Sequence, residues 1–134
     1  MMDLTTAWEL GAALGLGMLI GLERERTRGD AETFAGVRTF SLVALFGATA
    51  VHVSELSGLS WIIGLVFLAI VALVVTSYQV TSRKGDLGAT TEVSVMIAFF
   101  VGCLCAWGEV GIAGAIAVVA MLLLAMKGFL HRLA

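Results

Sequence analysis

Five apolar runs alternate with short polar segments along the chain, at about 4–22, 37–53, 59–80, 91–107 and 110–130. Each has roughly the 17–25 residues that a helix needs to cross a hydrocarbon core. The last two are separated only by Trp107-Gly-Glu-Val-Gly111. Read as one helix from 91 to 130 they would measure roughly 60 Å, about twice a bilayer, so the pattern predicts a tight hairpin there. The first run follows Met1-Met2-Asp3 without a basic leader segment, and so reads as a span rather than a cleaved signal. The expected architecture is all-α: one polytopic membrane domain over 1–134 with five transmembrane helices.

Composition agrees. The 134 residues are 60% hydrophobic and 13% charged, with a mean hydropathy of +1.03. A water-soluble domain of this size carries about 25% charged residues. There is no proline to kink a helix, and sixteen glycines favour close helix packing. Cys103 and Cys105 lie two apart, about 200° around a helix, so they cannot bridge each other and read as small buried apolar residues.

The net charge of −2 matters less than where the charges fall. Four of the eight Lys/Arg and four of the ten Asp/Glu lie between Glu23 and Arg38. With the N-terminus outside and the C-terminus cytoplasmic, the inner segments hold Arg24, Arg26, Arg28, Arg38, Arg83, Lys84, Lys127 and Arg132, every basic residue of the chain. The outer segments hold Glu9, His52, Glu55 and Glu109. Cytoplasmic loops are enriched in Lys and Arg, and Trp8, Trp61 and Trp107 all fall at outer span ends, where indoles favour the headgroup belt. Arg24, Arg26 and Arg28 read as a solvated, lipid-facing basic segment that attracts anionic headgroups.

Small residues recur at helical spacing. Gly11, Gly15, Gly17 and Gly21 run along the first span, Ala44-x-x-x-Ala48 along the second, and Gly111, Gly114 and Ala117 along the fifth. Such stripes let two backbones approach closely. They serve either packing within one copy or a homo-oligomer interface along the first span, with a dimer favoured.

The candidate chemistry lies at the cytoplasmic ends of the spans. Glu23 ends the first and Arg38 opens the second; Thr76 to Gln79 close the third, and Thr90, Thr91 and Glu92 open the fourth. Ionisable groups at membrane depth are costly unless paired or wet, which makes each a functional candidate. Glu92 either caps its helix, where the dipole favours a carboxylate, or pairs with Arg38 or helps bind a cation. Arg38 either snorkels to the headgroups or pairs with Glu23 or Glu92. Glu23 and Glu92, with Asp86 as an outlying third, form the one carboxylate set suited to a hydrated Mg2+. His52 and His131 fall on opposite sides of the membrane and cannot share a ligand. No catalytic triad, phosphate-cradling loop or His/Cys cage is present, so an enzyme is not expected; nor is a nucleic-acid partner.

Gly21-Leu-Glu-Arg-Glu25, Ala35-Gly-Val-Arg-Thr39 and Gly88-Ala-Thr-Thr-Glu-Val93 resemble the membrane domain of the MgtC/SapB family of bacterial inner-membrane proteins. With the five-span layout, the resemblance covers the whole chain. It implies a multi-pass inner-membrane protein of magnesium homeostasis, and it marks Glu23, Arg24, Glu25, Gly36, Arg38, Thr39, Thr91 and Glu92. Some members are regarded as regulators of membrane ATPases rather than transporters. Many relatives carry a soluble C-terminal domain or a second set of spans, and residues 127–134 read as an inner-face helix end from which more could continue. Two functions are expected from this. One is cation transport by an oligomer through a polar pocket of Glu23, Arg38, Thr39, Thr91 and Glu92. The other is a regulator that docks onto a membrane ATPase without transport.

Overall fold

The computed structural model describes residues 4–28, 37–81 and 89–133, with side chains at 4–23, 37–76, 93–123 and 125–126. The chain forms five α-helices: α1 (Leu4–Arg28), α2 (Val37–Ser57), α3 (Trp61–Thr81), α4 (Ala89–Ala106) and α5 (Val110–Leu133). Several run past their apolar runs. α1 continues six residues beyond position 22, through Glu23 to Arg28, because Glu and Arg are good helix formers that need no burial to remain helical.

Two glycines end helices where the sequence places turns. Gly58 has φ +76° and donates its N–H to Ser54 O at 2.8 Å, closing α2 and delaying α3 to Trp61. Gly108 has φ +85°. Its N–H reaches Cys105 O at 3.0 Å while that of Glu109 reaches Leu104 O at 2.8 Å. This is the Schellman arrangement, which satisfies the last carbonyls of a helix and needs a left-handed residue. It makes 107–109 a hairpin and rules out one long helix.

Among the described residues α4 is the central helix, touching all four others, whereas α3 touches only α2 and α4. Accordingly Cys103 and Cys105 are both fully buried although they point to opposite sides of α4. At the crossing of α2 and α4, a Cβ on Gly102 would overlap the carbonyl oxygen of Ala44, and one on Gly47 would overlap that of Phe99. The Cys103 thiol donates across this contact to Gly47 O at 3.5 Å. Phe67 ties α3 on, with its ring 5.4 Å from that of Phe99 and 5.1 Å from that of Phe100.

The interior mixes alanines with a few large side chains, Phe40, Phe99 and Ile20 among them, while most of the outward face is large and aliphatic. Ala13, Ala44, Ala48, Ala98, Ala113 and Ala117 are buried, while Leu65, Leu68 and Leu73 on α3 and Val118, Val119, Leu122 and Leu123 on α5 are exposed. Against water such faces would be an aggregation liability. Against lipid tails they cost little, and the small residues inside allow close backbone contact. Among the described residues, Leu4–Glu23 and Val37–Ser57 are long and apolar enough to cross a membrane, and Trp61–Thr76, Val93–Ala106 and Val110–Leu123 are shorter apolar stretches.

Candidate functional site

The packing of α1 on α2 decides which polar groups can meet. Gly17 lies against α2: a Cβ there would stand 2.7 Å from Phe40 O and 2.9 Å from Ala44 Cβ. The later half of α1 therefore runs beside the beginning of α2. This sets Glu23 and the Arg38–Thr39 pair at the same end of the bundle. Glu23 and Thr39 are half-buried and Arg38 is exposed. Neither Glu23 nor Thr39 lacks a partner.

α4 begins at this same end. Its first described polar side chain is Ser94, which is buried and also partnered. Ser41, buried on α2, returns its hydroxyl to Val37 O at 2.7 Å and so keeps to its own helix. The side chains of Arg24, Glu25, Arg26, Arg28, Thr91 and Glu92 lie outside the described residues, as do Gly36 and Asp86. Carboxylates suit a hydrated Mg2+ in donor type, and among the described residues no group of three or more His, Cys, Asp or Glu comes together to hold a metal.

The glycine stripe of α1 divides. Gly17 and Gly21 are buried, Gly17 against α2. A Cβ on Gly11 or Gly15 would meet nothing within 4 Å, and the same holds for Gly111 and Gly114 on the neighbouring α5. The tightest small-residue contact is instead between α2 and α4, at Gly47 and Gly102. Sequence spacing does not single these out, since each is an isolated glycine in its helix.

A second polar contact, also absent from sequence reasoning, occupies the far end. Glu9 Oε1 on α1 lies 3.9 Å from His52 Nε2 on α2, and Glu9 Oε2 lies 3.7 Å from where a Cβ on Gly108 would stand. The start of α1, the end of α2 and the α4–α5 turn thus share this end with Trp8, Trp61 and Trp107, all exposed. Both residues fall in the expected outer segments, but the rotation that makes them face each other is a tertiary property.

Between the two ends the bundle is apolar. Among the described residues the buried polar side chains are Ser41, Ser54 and Ser94, and the α2–α4 crossing closes the middle backbone to backbone.

The family model for the MgtC family matches residues 10–133. No curated protein matches the chain, and neither does any solved structure. With the match running over nearly its whole length, the chain belongs to the MgtC family, and is a membrane protein related to magnesium homeostasis.

Proposed function

We propose that the protein is a five-span inner-membrane protein, N-terminus outside, whose polar cluster at the cytoplasmic helix ends binds Mg2+ or an anionic group and biases the packing of α1, α2 and α4. Glu23, Arg38, Thr39, Thr91 and Glu92 form the cluster. The carboxylates hold a hydrated cation and Arg38 balances their charge when it is absent. The observation that carries this reading is the location of Glu23, Arg38 and Thr39 at one end of a bundle with an apolar centre, in a chain of the MgtC family.

Ion transport on this reading takes place between copies, since a single bundle is closed at Ala44, Gly47 and Gly102. The open glycine faces of α1 and α5 favour such self-association. The second reading is a regulator that docks onto a membrane ATPase without transport. The same closed centre favours it, because a conducting path needs polar groups across the depth of the bilayer.

The deciding experiment is Mg2+ uptake into liposomes carrying a Mg2+-sensitive dye, with Glu92→Gln as control. Uptake lost in the variant makes the protein a transporter with its site at the inner helix ends. No uptake by folded protein makes it a regulator. The shared cluster falls if Arg38→Ala, Glu92→Gln and Glu25→Gln are all indistinguishable from wild type in supporting growth at limiting Mg2+.

A further inference from the structure

A carboxylate faces an imidazole at the end of the bundle away from the charged loop. The Glu9 side chain is only 12% exposed, and its Oε1 stands 3.9 Å from His52 Nε2. That nitrogen is buried and makes no hydrogen bond. An N–H···O bond needs about 3.2 Å or less, so the two groups stop short of bonding by less than an ångström. Leaving a buried donor or acceptor unpaired is unfavourable, and once Nε2 carries a proton a small shift of α1 toward α2 would remove the penalty. On its other side Glu9 faces the α4–α5 turn, its Oε2 standing 3.7 Å from where a Cβ on Gly108 would be.

The charges around His52 are one-sided. α1 contributes Glu9; α2 itself contributes Glu55, which is exposed; the α4–α5 turn contributes Glu109, also exposed. The Cys105 thiol of α4 is buried and within electrostatic reach of Glu9. The described parts of α3 and α5 bring no titratable side chain to this end. Every Lys and Arg of α1, α2 and α5 falls in the half of its helix nearer the opposite end, and Arg83 and Lys84 follow α3 outside the described residues. Among the described residues, His52 is the one side chain here that can become a cation.

We propose that Glu9 and His52 form a proton-operated latch between α1 and α2 at the tryptophan-bearing end of the bundle. A proton taken up from solvent by the imidazole turns Nε2 into a charged donor. The donor closes onto the Glu9 carboxylate and draws the start of α1 toward α2, away from its seat beside Gly108. The latch is closed when the imidazole carries the added proton and open when it does not. It uses none of the residues of the cytoplasmic cluster and stands independently of that site.

The test is thermal unfolding of the full chain in detergent micelles at pH 8 and pH 5.5, for wild type, Glu9→Gln, His52→Gln and the double variant. Acidification should raise the wild-type Tm by roughly 3 °C or more relative to each single variant, with the double variant matching the singles. A wild-type response kept by either single variant, or absent from wild type, overturns the latch. If a variant does not fold, His131→Gln leaves His52 as the sole imidazole of the chain, and its ring 15N signals decide. A solvent-protected Nε2–H at pH 5.5 that is absent at pH 8 supports the latch. A ring that stays neutral, or whose Nε2–H exchanges freely, overturns it.

Discussion

Gly102 on α4 presses against the carbonyl oxygen of Ala44 on α2, so closely that a methyl group at position 102 would overlap that oxygen. The obstacle is backbone rather than a flexible side chain, so the helices must separate to admit it. Gly102→Ala should destabilise the bundle by about 1–3 kcal/mol. Gly114→Ala, where a Cβ meets nothing within 4 Å, should gain up to about 1 kcal/mol from helix propensity. Unfolding midpoints in detergent check the pair, and equal midpoints would mean that α2 and α4 do not meet here.

Gly108 tests the hairpin. Its φ of +85° costs a residue with a Cβ about 1–2 kcal/mol, while the space beside Glu9, at 3.7 Å, is ordinary contact. Gly108→Ala should therefore lower stability by about that amount through the backbone alone. Gly58→Ala, with φ +76° and no neighbour within 4 Å, should cost about the same. An unchanged midpoint for Gly108→Ala would argue for a continuous α4–α5 helix.

The proposed cluster of Glu23, Arg38, Thr39, Thr91 and Glu92 predicts an order of effects. Arg38→Ala and Glu92→Gln should each reduce growth support at limiting Mg2+ on the order of tenfold, the equivalent of losing one charged contact. Glu25→Gln should stay near wild type. Dose-matched complementation measures this, with membrane abundance checked for each variant.

Self-association has its own separable test. A Cβ on Gly15 would meet nothing within 4 Å, so Gly15→Leu should leave stability within about 0.5 kcal/mol of wild type while weakening the oligomer seen by cross-linking in membranes. Gly17→Leu, by contrast, forces a side chain into Phe40 O and Ala44 and should unfold the bundle. An oligomer that survives Gly15→Leu would place the interface elsewhere than the open face of α1.

The number of helices, their turns and the sidedness of charge were legible in the sequence because each is a property of a short stretch. Run length separates the helices, Trp107-Gly-Glu-Val-Gly111 marks one turn, and Arg24 to Arg38 mark one connection. That Glu23, Arg38 and Thr39 share one end of the bundle was legible for the same reason, as they sit where apolar runs meet charge. Depth along a helix can be counted from its ends.

Rotation about a helix axis cannot be counted in this way, and it took the tertiary structure to decide it. In a water-soluble bundle the polar face of each helix points outward and betrays its rotation. Here the lipid-compatible outside is as apolar as the core, so Leu68 and Val101 look alike in sequence although one is exposed and the other buried. Inside and outside are set by contacts such as Gly102 with Ala44 and Gly17 with Phe40, which exist only once the helices are packed. The facing of Glu9 and His52, the centrality of α4 and the division of the α1 glycine stripe all follow from that packing.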